Sequence, residues 1–130
     1  WVPERTGSAY LWKRELGGFR KPAPARPPVA LRHPSFRAYA DYMQTPPFAR
    51  ALDQLLARAA EARVAVLCSE TLWWRCHRRL ISDAAVLLRE AVVHHLMHDG
   101  RLYPHRVTAG ARVAEDRSLR YDVLFTGEDE

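Results

Sequence analysis

One short run of this 130-residue chain concentrates most of its reactive side-chain types: Cys68-Ser69-Glu70-Thr71-Leu72-Trp73-Trp74-Arg75-Cys76-His77-Arg78-Arg79. Cys76 is the candidate nucleophile, with Glu70 and His77 as candidate acid/base partners. The run follows an apolar segment and precedes a helical pattern. It is therefore expected to leave the carboxyl end of a strand and enter a helix amino terminus, where open α/β sheets bind ligands. A helix start offers unpaired amides and a positive dipole end, worth roughly 0.3 to 1 kcal/mol per favourable charge. Arg75, Arg78 and Arg79 add cations to it, and Arg20 is a further candidate from the first half. Together they predict an anion site for phosphate, carboxylate or sulfate, in a pocket for a phosphate- or nucleotide-like small molecule. In such a field a thiol at Cys76 is expected to have a lowered pKa and to be nucleophilic or redox-sensitive.

The same residues have other readings. Cys68, Glu70, Cys76 and His77 are a candidate ligand set for zinc or iron, although their spacing is not a standard zinc pattern. Structurally, Cys68 reads as a small core residue, Glu70 with Arg78 as an ion pair holding the loop, and His77 as a helix cap or a ring stacked on Trp73. Trp73 and Trp74 read as core packing, an interface patch or a base-stacking surface. His94 and His95 alternate across a strand, so one of the two faces any site; His98 and His105 fall in loops.

These residues need elements to position them. Tyr10-Leu11-Trp12 reads as a short strand entering a turn at Gly17-Gly18. Five prolines between Pro22 and Pro34 make residues 21–34 an extended loop, basic through Arg20, Arg26 and Arg32. Ser35 to Met43 reads as a short helix with Ser35 as its cap. Thr45-Pro46 then opens a second helix, a capping hydroxyl followed by proline at the first helical position. Phe48, Ala51, Leu52, Leu55, Leu56 and Ala59 form its apolar stripe, which ends near Arg63. Val64 to Cys68 is a continuous apolar run, expected to be a strand buried on both faces of a parallel sheet. A third helix starts near Cys76 and buries Leu80, Ile81, Ala84, Ala85 and Leu88. Ala91 to Leu96 reads as the next parallel strand, and residues 98–110 as loop. Arg112-Val113 and Leu119 to Phe125 pair as a hairpin around Glu115-Asp116-Arg117, ahead of a disordered acidic tail at 127–130. The expected fold is a single α/β domain, Rossmann-like and three-layered, with a mainly parallel sheet and a small carboxy-terminal hairpin.

Composition narrows the function classes. Hydrophobic residues at 48% and charged residues at 27% exclude a disordered chain, a collagen and a coiled coil. No stretch approaches the roughly 20 apolar residues of a membrane span, and no basic-then-apolar leader opens the chain at Trp1. Two cysteines are too few for a disulfide scaffold, so a cytoplasmic protein with reduced thiols is expected. The formal net charge of +5 is lopsided: residues 1–63 carry +6 and residues 64–130 carry −1. That balance keeps nucleic acid in view as a partner, through the basic first half and Trp73-Trp74, although no recognition-helix or RNA-binding signature is present. Arginine supplies 18 of the 20 basic residues, which fits a GC-rich coding bias before it fits phosphate selection.

The motifs also resemble a family. Val66-Leu67-Cys68-Ser69-Glu70, followed at short spacing by Cys76-His77-Arg78-Arg79-Leu80-Ile81-Ser82-Asp83, resembles the domain of unknown function 488 family. Leu16-Gly17-Gly18-Phe19-Arg20, Phe36 to Met43, Val92-Val93-His94-His95-Leu96 and Pro104-His105 are similar to further pieces of it, so the likeness runs from about Tyr10 to Arg112. The resemblance implies a Rossmann-like domain and no established reaction. Members typically begin with a strand carrying glycine-histidine-serine or threonine, a helix, and a strand ending in aspartate-valine-arginine. None of these stands in this sequence, which implies a truncated or divergent member with a sheet edge open to pairing with another chain, and so a homo-oligomer. Three function classes follow. The first is an anion-pocket protein using thiol or acid/base chemistry. The others are a nucleic-acid-binding module and a purely structural or regulatory domain.

Overall fold

Proline suits the first turn of a helix, where its missing amide donor is not needed. Pro34 and Pro46 each open one. The computed structural model describes residues 7, 9–18, 34–68 and 72–121. Its first helix, α1 (Pro34–Tyr42), buries Ala38, Tyr39 and Ala40. The Tyr39 hydroxyl donates to the Leu16 carbonyl at 2.8 Å, and the Tyr42 hydroxyl donates to that of Glu15. The two phenols tie the 3-10 turn Arg14–Leu16 onto α1.

Helix α2 (Pro46–Glu61) follows after a tight junction. Thr45 is its N-cap residue, but its hydroxyl donates backwards to the Tyr42 carbonyl at 2.7 Å and caps no amide. Phe48, Ala51 and Leu52 are buried, Leu55 and Leu56 are half-buried, and Ala59 is exposed. The apolar stripe therefore meets the core only along its first half.

The Val64–Cys68 run corrects the expected parallel sheet. It is extended but pairs with no strand among the described residues. Val64, Val66 and Leu67 are 43%, 38% and 66% exposed. A strand is buried on both faces only where neighbouring strands and covering helices exist, and this run has no strand partner among the described residues. Tyr10-Leu11-Trp12 likewise forms no strand and is exposed.

Helix α3 (Arg78–Arg89) begins two residues after Cys76, behind a 3-10 turn at Trp73–Arg75. It buries Leu80, Ile81, Ala84 and Ala85, with Ser82 and Asp83, against Tyr39, Phe48 and Leu52. It ends on Glu90 in the left-handed region, φ +54°.

The second expected parallel strand is also corrected. Strand β1 (His94–Leu96) pairs antiparallel with β2 (Leu102–Pro104), with His95 opposite Tyr103. Asp99-Gly100 makes the reversal: Gly100 has φ +83°, and the Asp99 carboxylate accepts from the Arg101 amide at 2.9 Å. A turn this short joins only antiparallel neighbours, because parallel ones need a long crossover. Thus residues 98–110 are not all loop. Strands β3 (Arg112–Val113) and β4 (Leu119–Arg120) form the expected carboxy-terminal hairpin, and Leu119 and Tyr121 enter the core.

Three helices and two two-stranded antiparallel sheets therefore replace the Rossmann-like, mainly parallel architecture among the described residues. Pro34 lies in α1, not in the loop assigned to 21–34. The rest of that loop, the acidic tail, Arg20 and Glu70 lie outside the described residues. No helix among the described residues is long and apolar enough to cross a membrane.

Candidate functional site

Cys76 sits where the 3-10 turn hands over to α3. Its sulfur accepts from the Arg78 amide at 3.3 Å and from the Arg78 Nε at 3.1 Å, so a free amide of the helix start does reach it. The Cys68 thiol donates to it at 3.5 Å, and Cys76 in turn donates to the Trp73 carbonyl at 3.7 Å. Cys76 is only 7% exposed. Burial pushes its thiol pKa up, and the two donors from Arg78 only partly oppose that. The lowered pKa expected from the helix field is thus corrected: desolvation outweighs dipole and guanidinium.

The neighbouring residues divide. His77 occupies the N-cap position in helical geometry and caps nothing with its side chain. Its ring packs on Tyr39, with centroids 5.3 Å apart, rather than on Trp73. A Cβ at Gly18 would lie 2.6 Å from its Nδ1, so this approach requires glycine there. Arg75 is exposed. Arg79 turns the other way: its Nε donates to the Thr108 hydroxyl at 2.9 Å, while its buried Nη2 has no partner among the described residues. Cys68 meets Cys76, but His77 does not join them, and no group of three His, Cys, Asp or Glu that could hold a metal occurs among the described residues.

A second constellation lies beside the first. Asp83, on the inner face of α3, is wholly buried. Its Oδ1 accepts from His105 Nε2 at 2.7 Å and from the Thr108 amide at 3.0 Å; its Oδ2 accepts from the Tyr121 hydroxyl at 2.8 Å. Burial raises the Tyr121 pKa well above its ordinary value, with the Asp83 charge adding to it, so the phenol keeps its proton and donates. His105 Nδ1 lies 2.8 Å from His95 Nε2. The hydrogens follow from the acceptor end. A carboxylate has none to give, so His105 donates through Nε2. In neutral His105, Nδ1 then accepts from His95 Nε2–H, and the lone pair of the chain appears on His95 Nδ1. That atom has no hydrogen-bond partner among the described residues.

Trp73 joins the two constellations. Its ring stacks on His95, with centroids 3.8 Å apart and planes 3° from parallel, and stands edge-on to His105. Burial first, then the electrostatic influence of the neighbouring His105 and Arg78, holds the His95 pKa down at about 4. Trp73 also lines an open apolar depression of about 450 Å³ with Trp74, Met97, Tyr103, Pro104 and Arg106.

Asp83, Thr108 and Tyr121 were not among the candidates that residue types suggested. One signal was available: a carboxylate flanked by Leu80 and Ala84 on the apolar face of a helix must find donors. The Asp99-Gly100 turn was the other, because it sets His95 beside the strand that leads to His105.

The family described as Domain of unknown function DUF488 matches residues 3–85, more than half of the 130. The chain belongs to that family. The match includes the Cys68 and Cys76 segments and Asp83 but stops before His95, His105 and Tyr121. No curated protein and no solved structure matches the chain.

Proposed function

We propose that this DUF488 protein is an acid–base enzyme acting on an anionic small molecule, phosphate-bearing or nucleotide-like, at the amino end of α3. The observation that carries this reading is the buried chain Asp83–His105–His95, at 2.7 and 2.8 Å, ending on a neutral imidazole stacked against Trp73. His95 Nδ1 takes a proton from the substrate or from water. Its Nε2–H, held by His105 and through it by Asp83, keeps the ring in the tautomer that can do so. Arg78 binds the anion, and Trp73 and Trp74 cover its apolar part.

Anion and base are coupled. Arg78 is one of the cations that hold His95 down. An anion on Arg78 offsets that charge and raises the His95 pKa towards the range where a base works best. Ligand binding thereby readies the base. One face of Trp73 is already taken by His95, which favours a small ligand over stacked nucleic-acid bases. Reduced thiols at Cys68 and Cys76 suit the cytoplasmic setting included in this reading.

The test is nuclear magnetic resonance of the full chain with inorganic phosphate and with adenosine 5′-monophosphate. At least one probe is expected to shift the Trp73 indole signal and to move the His95 titration upward from about 4. Arg78→Met is expected to abolish both effects. If millimolar concentrations of both probes leave the indole signal and the titration unchanged, the anion reading is wrong.

A further inference from the structure

Two thiols in van der Waals contact need an explanation that the acid–base chain does not supply. We propose that Cys68 and Cys76 are a hydroperoxide-responsive thiol–disulfide pair, in which Cys68 takes the oxidant and Cys76 resolves it. The inference rests on the geometry and exposure of the two thiols and does not depend on the acid–base reading.

Their Sγ atoms lie 3.5 Å apart. A disulfide holds its sulfurs about 2.05 Å apart, so closure needs roughly 1.5 Å of approach. The chain can supply it. Val64 to Cys68 carries no strand pairing among the described residues and is largely exposed, so no ladder must break for Cys68 to move. Cys76 is anchored at the head of α3 and stays in place.

The two sulfurs differ in a way that assigns their roles. Cys68 is half-buried, at the end of an exposed segment, and meets a dissolved oxidant first. Cys76 is buried behind it, sheltered from direct oxidation. Arg78 directs its Nε and its amide at the Cys76 sulfur, at 3.1 and 3.3 Å. These donors stabilise the thiolate at the moment it is needed, although burial disfavours it at rest.

The chemistry balances in two steps. The Cys68 sulfur attacks the terminal oxygen of a hydroperoxide, ROOH. The O–O bond breaks, Cys68 becomes a sulfenic acid and the alcohol ROH leaves. The Cys76 sulfur then attacks the Cys68 sulfur, forming the S–S bond, and the sulfenic oxygen leaves as water with the Cys76 proton. Two thiols have lost two electrons and two hydrogens to the peroxide; a dithiol reductant returns them.

Peptide mapping of the full chain tests this. The reduced protein is treated with hydrogen peroxide, alkylated and cut with trypsin after Arg63, Arg75 and Arg78. Cys68 then lies in peptide 64–75 and Cys76 in peptide 76–78. The expected product is these two peptides joined within one chain, with the loss of two hydrogens, and separated again by dithiothreitol. In Cys76→Ser, dimedone is expected to trap a sulfenic acid at Cys68. The proposal is overturned if the wild-type peptides are recovered unlinked with Cys68 carried on to sulfinic acid, if peroxide leaves both thiols alkylatable, or if the link forms only between chains. The wild-type map decides the matter whether or not the variant folds.

Discussion

Asp83 is the residue on which most of the buried polar chemistry converges. His105, Thr108 and Tyr121 all donate to it, the first two from the segment after β2 and the third from just past β4. Removing the carboxylate leaves those donors buried and without an acceptor. Asp83→Ala is therefore expected to cost about 3 to 5 kcal/mol in urea unfolding. A loss below about 1 kcal/mol would show that water replaces the carboxylate and that the site is open. His95 makes a prediction of a different kind. Its folded pKa of about 4 lies below its ordinary 6.5. Above about 6.5 both folded and unfolded chains carry it neutral, and it contributes nothing to the pH dependence. As the pH falls from about 6.5 towards 4, the unfolded chain binds a proton that the folded one refuses. Stability then drops through that window, by up to about 3 kcal/mol. His95→Gln is expected to flatten this part of the stability profile relative to the parent. An equal slope in parent and variant would mean that His95 titrates normally in the fold.

At the scale of elements, what was legible depended on how far each signal reached. The helices were legible because their information is local. Thr45-Pro46 and apolar residues three and four apart place α2 and α3 within a few residues, and α1 starts one residue before the expected Ser35. The β3–β4 hairpin was legible for the same reason. Val64-Ala65-Val66-Leu67-Cys68 was not, because an apolar run carries no record of what lies beside it. Burial on both faces was inferred from hydrophobicity, yet burial needs neighbours that the described residues do not provide. Likewise, Ala91 to Leu96 looked like one more parallel strand until Asp99-Gly100 turned it into half of a hairpin. Near the site, the closeness of Cys76 and Arg78 to the start of α3 was legible, whereas the partnership of Asp83 with residues 22 to 38 positions later was not. The element-scale prediction contrasts two leucines. Leu80 on α3 is fully buried, and Leu80→Ala is expected to cost about 2 to 5 kcal/mol. Leu67 is 66% exposed, and Leu67→Ala is expected to stay within about 0.5 kcal/mol of the parent. Comparable losses at both positions, measured by the same unfolding titration, would restore the run as a buried strand.

At the scale of the molecule, the family match and the folded unit do not share a boundary. The match ends at residue 85, inside α3. The helical part of the fold nevertheless depends on what comes later. Leu119 and Tyr121 fill the core beside Tyr39 and Leu80. Gln44, in the α1–α2 junction, donates to the Leu119 carbonyl at 2.6 Å. Asp83, a carboxyl group buried on α3, accepts from His105, Thr108 and Tyr121. A chain ending at Glu90 keeps all three helices but leaves the Asp83 carboxyl group against an apolar face with none of these donors. It also exposes the core surface that Leu119 and Tyr121 cover. Helical propensity survives that loss, but unique packing does not, because an uncompensated buried charge costs several kcal/mol against a total stability of about 5 to 15. The fragment ending at Glu90 is accordingly expected to retain far-ultraviolet helical signal, to lose near-ultraviolet signal and to unfold without a cooperative transition. A fragment ending at Tyr121 is expected to unfold cooperatively, as the full chain does. If the shorter fragment shows a sharp thermal transition and dispersed amide resonances, the helices form a self-sufficient core. The Asp83 cluster would then be an accessory to the fold rather than part of what holds it.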